Sequence, residues 1–158
     1  MKLLITGITA LLFLSCESIP KQPEDIIEDF IVKIFKSDSY TIEDIEAFMI
    51  PEYFQKKNTL SEKNLDIHLS FMREITNRMK VFLKENNFEY KIIPKNSTES
   101  KNYKNIVYSR NGSVFLMTCN DEHVATFIIE DKKLYAYYVD IYLSDKKNYV
   151  PYFFFEKN

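Results

Sequence analysis

The chain of 158 residues carries 21 Lys and Arg against 23 Asp and Glu, a formal net charge of −2. That balance lacks the clustered basic excess of a nucleic-acid footprint, so no nucleic acid is expected as partner, and it argues against strong electrostatic binding to anionic lipid. Gly7 and Gly112 are the only glycines, which excludes phosphate-cradling loops and dinucleotide folds, because both need several glycines for positive φ and close backbone approach.

The first sixteen residues, Met1 to Cys16, set the context for the rest. Lys2 supplies a positive start, and Leu3 to Leu14 is an apolar run broken only by Thr6, Gly7 and Thr9. The run has the layout of a secretory signal and is too short to span a bilayer. Its ending, Phe13-Leu14-Ser15-Cys16, resembles the lipobox of bacterial lipoproteins: an aliphatic approach, a small residue, then cysteine. The resemblance implies cleavage before Cys16, lipidation of its thiol, and residence on the periplasmic or outer-surface face of a bacterial cell envelope. Residues 1–15 would then be a signal peptide and residues 16–22 a lipidated cysteine with a short tether. Residues 23–158 would form a single α+β domain. Cys119 would be left alone in an exported protein, unable to form an intrachain disulfide, and is read as a small buried hydrophobe.

Glu17 to Gln22 reads as a tether reaching about 20 Å at full extension, at about 3.3 Å per residue. A first helix is expected from Pro23 to Phe35: Pro23 suits a first turn, Glu24 and Asp25 favour the positive helix start, and Ile26, Ile27, Phe30, Ile31 and Ile34 make an apolar face. A shorter helix follows, with Thr41 as N-cap, Asp44 three residues on, and Ile42, Ile45, Phe48 and Met49 as its apolar side. Pro51 can open a single further turn through Phe54. The longest helix is expected from about residue 60 to residue 85, with Thr59 and Glu62 as a capping box and Asn86-Asn87 as its end. Leu65, Leu69, Met72, Ile75, Met79, Phe82 and Leu83 recur at spacings of three and four and predict one face on a core.

After Asn87 the period becomes alternating, and every tyrosine but Tyr40 and Tyr53 lies from Tyr90 onward. Strands are expected at Phe88–Ile93, Tyr103–Arg110, Ser113–Cys119, His123–Ile129, Leu134–Leu143 and Val150–Phe155. Asn111-Gly112 is read as the turn of a hairpin. Connections this short force antiparallel neighbours, so the expectation is helices packed on an antiparallel meander of five to six strands. This order resembles NTF2-like or cystatin-like α+β folds, in which a curved sheet wraps a long helix. The stretch Pro23 to Phe30, followed by Asp44 to Phe54, resembles the opening helices of small NTF2-like lipoproteins.

Candidate chemistry is sparse. His68 shares the apolar stripe of the long helix, so it is either a base at the edge of a cavity or a hydrogen-bonded core histidine. His123 opens a strand after Asp121-Glu122 without the ligand spacing of a metal site. In the strand Leu134–Leu143, alternation puts Asp140 with Leu134, Ala136, Tyr138 and Tyr142 on one face, and Tyr135, Tyr137, Val139, Ile141 and Leu143 on the other, which is taken as the core face. Asp140 is then expected outside and solvated. The alternative is a place like that in NTF2-like enzymes, where an acid and tyrosines sit inside the cone, but no motif here maps residue by residue onto such a site, so no role is carried over. No hydrolase, metallopeptidase, redox, calcium or nucleotide motif occurs, and no cofactor or metal is expected. The reading is a lipid-anchored, non-catalytic binding or interaction module. Tyr135, Tyr137, Tyr138 and Tyr142 are its candidate contact residues, and an envelope protein is its candidate partner. The alternatives are a ligand-binding or enzymatic NTF2-like domain using His68 and Asp140, and a structural component of an envelope assembly.

Overall fold

The computed structural model describes residues 21–99, 108, 110–138 and the backbone of residues 105–106, 141–142 and 148–150. The signal segment with Cys16, most of the tether, Asp140 and the side chain of Tyr142 lie outside the described residues. The chain is α+β: helices come first, and a four-stranded antiparallel sheet follows.

Helix α1 runs Pro23–Phe30, with Gln22 at the N-cap and its backbone N–H donating to Asp25 Oδ2 at 2.8 Å. It continues as a π-helical turn, Ile31–Phe35, where the Lys36 N–H reaches Ile31 O at 2.9 Å. The apolar spacing explains the widening. Ile26, Ile27, Phe30, Ile31, Ile34 and Phe35 are all buried, as pairs four residues apart. Four residues overshoot an α-turn of about 3.6, so such pairs drift around an α-helix, and a wider turn reverses the drift.

Helix α2, Ile42–Glu46, starts as expected: Thr41 Oγ1 accepts from the Asp44 N–H at 3.2 Å, and Asp44 Oδ2 accepts from the Thr41 N–H at 2.7 Å. Helix α3 runs Pro51–Lys57, beyond the single turn expected through Phe54. Helix α4 runs Glu62–Glu85, and its cap is Ser61, whose Oγ accepts from the Asn64 N–H at 3.3 Å. The expected cap Thr59 closes α3 instead, donating to Lys56 O at 2.7 Å. At the far end, the Phe88 N–H reaches Leu83 O at 2.7 Å and the Asn87 N–H reaches Lys84 O at 3.1 Å, the paired bonds of a Schellman ending.

The main sheet has the order β1 (Lys91–Pro94), β3 (Ser113–Cys119), β4 (Glu122–Glu130), β5 (Lys133–Ala136). Strand β2 (Asn105–Ile106) does not form the expected hairpin with β3 through Asn111-Gly112. It pairs in parallel with β7 (Asn148–Val150), which also pairs antiparallel with β6 (Ile141–Tyr142). Gly112 has no positive φ. Its lack of a side chain serves a close approach, since a Cβ would lie 2.9 Å from Glu130 Cγ, Ile129 O and Tyr108 Oη. The two-residue turns with both φ positive fall at Asn120-Asp121 and Asp131-Lys132, joining β3 to β4 and β4 to β5.

Two bulges shape the face that meets the helices. Met117 pairs with Ala125 and Thr118 with His123, which leaves Val124 as an extra residue in β4. Ile129 pairs with Leu134 and Ile128 with Ala136, which leaves Tyr135 extra in β5. The second bulge corrects the alternation expected for Leu134–Leu143: Leu134 and Tyr137 both join the helix-facing core, while Ala136 packs with Ile93, Leu116 and Ile128 on the opposite face. That opposite face is therefore apolar and buried in its central strands. The long strand itself ends at Ala136. Its exposed edge is occupied by the link between α2 and α3, since the Leu134 N–H donates to Phe48 O at 2.8 Å and the Ile50 N–H to Leu134 O at 3.0 Å.

The core lies between the helices and the sheet. Met72, Ile75, Met79 and Leu83 of α4 join Phe30 and Phe35 of the first helix against Phe115, Met117, Phe127, Ile129 and Tyr137. Phe30 is its hub, with ring centroids 5.0 Å from Tyr137, 5.2 Å from Phe48 and 5.8 Å from Phe127.

Candidate functional site

Three helices deliver polar groups to one buried point. Glu46 ends α2, one turn from Ile42 and on its apolar side, and is 7% exposed. Tyr53 is in the first turn of α3 and His68 in the second turn of α4, and they are 1% and 2% exposed. The Tyr53 hydroxyl lies 2.9 Å from Glu46 Oε1, 3.1 Å from His68 Nε2 and 3.3 Å from Met72 Sδ. Lys57 Nζ donates to Glu46 Oε1 at 2.6 Å.

The proton positions follow from the donor inventory. The Tyr53 hydroxyl has one hydrogen, and the carboxylate is its strongest acceptor. The bond to His68 therefore needs the hydrogen on Nε2, donated to Tyr53 Oη. Burial pushes the His68 pKa down to about 4, against the opposing pull of Glu46, and Lys57 adds to the fall. His68 is thus a neutral, hydrogen-bonded core histidine near pH 7.

The space beside it is small. The void lined by Tyr53, His68, Phe71, Met72, Tyr137 and Tyr138, with Met49, Ile75 and Ala136, is about 20 Å³, room for about one water. The cluster can pass or hold a proton, but a space of that size admits no substrate. Tyr137 turns the other way, its hydroxyl 3.0 Å from Thr76 Oγ1 of α4; burial raises its pKa and keeps it protonated.

Room opens beyond Phe71 and Tyr138. A cleft of about 370 Å³ runs between α4 and the start of β4. Its floor is Phe71, Ile75, Met79, Phe82, Val124 and Tyr138, and its rim carries Glu74, Arg78, Glu122 and His123. The β4 bulge matters here, because it turns Val124 toward the helices beside Ala125, where strict alternation would have turned it away. His123 is held on the rim by Thr126, with Nε2 and Oγ1 2.9 Å apart. A broader, open depression of about 840 Å³ is lined by Asp38, Glu43, Arg73, Asn77, Lys80 and Lys84 together with Tyr40, Ile42 and Val81.

The structure therefore brings together His68, Tyr137 and Tyr138 of the sequence candidates. Tyr135 lies apart, under Arg110, whose guanidinium carbon is 4.8 Å from the ring centroid. Arg110 forks onto Glu130, with Nε and one terminal nitrogen each 2.9 Å from its oxygens, and reaches Glu52 of α3 at 2.8 Å. Glu52 holds the Arg110 pKa above its ordinary value. Cys119 is buried and free, and burial together with Glu89 and Glu122 raises its pKa, the opposite of an activated thiol. Glu46 and Tyr53 were missed by sequence reasoning. The available signal was Glu46 itself, a carboxylate four residues from Ile42 within an apolar helical stripe. Among the described residues no His, Cys, Asp and Glu cluster could hold a metal, and no helix is long and apolar enough to cross a membrane. No family model, curated protein or solved structure matches the chain.

Proposed function

We propose that the protein is a lipid-anchored component of a bacterial cell envelope whose domain is a non-catalytic binding module. The anchor reading rests on Met1 to Cys16 and its lipobox-like ending. The binding reading rests on the cleft that adjoins the buried His68 cluster. The titratable cluster at His68 is closed around about 20 Å³, whereas the cleft between α4 and β4 holds about 370 Å³ over an apolar floor. A cavity of that size falls at the lower end of small-molecule sites, which are typically about 300–1,000 Å³ and mostly apolar with a few polar groups.

A second reading, an NTF2-like or cystatin-like ligand-binding or enzymatic domain, is favoured by one observation: a helix-borne histidine hydrogen-bonded to a tyrosine under an antiparallel sheet. It differs in requiring chemistry at His68, and Asp140 is its other candidate group.

The binding reading is tested with a photo-cross-linking residue at Phe82, on the cleft floor, and at Ile67, an exposed position elsewhere on α4. Irradiation of cells followed by intact mass should give a discrete adduct from position 82 only. The adduct should disappear when Val124→Arg fills the cleft. No adduct at 82, or the same adduct from 67, refutes the cleft as the binding surface.

A further inference from the structure

The cleft and the closed space beside His68 share a wall. Phe71, Ile75 and Tyr138 line both. The rings of Phe71 and Tyr138 meet edge to face with centroids 5.9 Å apart. Each is only half-buried, whereas Ile75 is 6% exposed and fixed in the core. Half-buried rings can change rotamer toward solvent without emptying the core, and such flips are fast compared with binding. On the inner side of the pair stand Tyr53 and His68; on the outer side lies the cleft.

We infer that Phe71 and Tyr138 form a gate, and that the cleft and the space beside His68 are two ends of one site for a small uncharged alcohol or phenol. The apolar body lies in the cleft and the hydroxyl reaches Tyr53 and His68. This rests on the cleft being the binding surface proposed above.

The chemistry of the inner end selects the class. Glu46 accepts from Tyr53 and Lys57, and Tyr53 accepts from His68. An anionic ligand there would meet the buried Glu46 carboxylate, and a cation would crowd Lys57, which already neutralises it. Burying an uncompensated charge is far costlier than burying a hydroxyl that finds a partner. A hydroxyl both donates and accepts, so it can take the place of the single water that the void accommodates. The aromatic and thioether side chains of Phe82 and Met79, which line the cleft away from the gate, suit a flat apolar body.

The histidines give a direct readout, because the chain has only two, His68 at the inner end and His123 on the rim of the cleft. The full-length protein in detergent micelles, with ring-labelled histidine, is titrated with 4-methylphenol at pH 7. The expected result is that both imidazoles shift with one saturation curve. Phe71→Ala, by removing half of the gate, tightens the apparent Kd by roughly threefold or more, since affinity is reduced by the fraction of closed molecules. A thermal melt checks the fold of the variant, and Phe71→Leu replaces it if Phe71→Ala does not fold. If His123 shifts and His68 stays still in both proteins, the gate is refuted while the cleft survives as a binding surface. If neither histidine shifts in either protein, the cleft takes no such molecule and the inference falls with its premise.

Discussion

Lowering the pH should destabilise this fold through one identifiable group. His68 is 2% exposed and neutral, its pKa lowered from 6.5 to about 4 by burial. In the unfolded chain the imidazole takes up a proton as the pH falls through about 6.5, and in the folded chain it does not until about 4. The stability from keeping His68 neutral is therefore complete above pH 7 and is lost as the pH falls from about 6.5 to about 4. At 1.36 kcal/mol per pH unit, the loss is about 3 kcal/mol. Other groups also change protonation over this range, so the test is a difference. Urea unfolding of the wild type and of His68→Gln, which keeps an N–H donor for Tyr53, is followed from pH 7.5 to pH 4. The wild type should lose about 3 kcal/mol more than the variant over that window. Parallel curves would mean that His68 is not held neutral by burial, and the proton assignment in the Glu46–Tyr53–His68 cluster would fail with it.

Three further substitutions probe the frame of the fold. Met72→Ala removes a side chain that is 3% exposed and should cost about 2–5 kcal/mol in urea unfolding; a cost below about 1 kcal/mol would remove α4 from the core. Gly112→Ala places a methyl 2.9 Å from three atoms and should cost about 1–3 kcal/mol by overpacking, measured as a lowered thermal midpoint. Lys132→Gly relieves a non-glycine residue at φ 60° in a hairpin turn and should stabilise by about 1 kcal/mol; destabilisation would contradict the turn geometry.

The long helix was legible because a single stripe, Met72, Ile75, Met79 and Leu83, has one period and one destination. Thr41 and Asp44 were legible because a cap is settled within four residues. The hairpin at Asn111-Gly112 was not, since a turn signal carries no information about which strands have better partners, and β3 pairs with β1 and β4. Two glycine-free turns, Asn120-Asp121 and Asp131-Lys132, took the conformation that Asn-Gly usually marks. The phase of Tyr135 to Tyr138 was misread because a bulge adds one residue to a period of two, and nothing local announces it. The π turn after Phe30 was hidden in a pattern that an α-helix nearly satisfies. As for the cluster, His68 was visible as a polar residue in an apolar stripe. Tyr53 and Glu46, fifteen and twenty-two residues before it, meet it only through the packing of three helices.

The claim that carries the most biology is the anchor, and intact mass spectrometry of the protein recovered from the membrane fraction tests it directly. The account predicts a chain beginning at Cys16, with the mass of its attached acyl chains, and Cys16→Ala should release the protein from membranes or stall its processing. Two or more acyl chains, at about 0.8 kcal/mol per buried CH₂, give stable membrane residence. An unmodified chain that still begins at Met1, or a Cys16→Ala variant that partitions into membrane with the same mass shift, would contradict it.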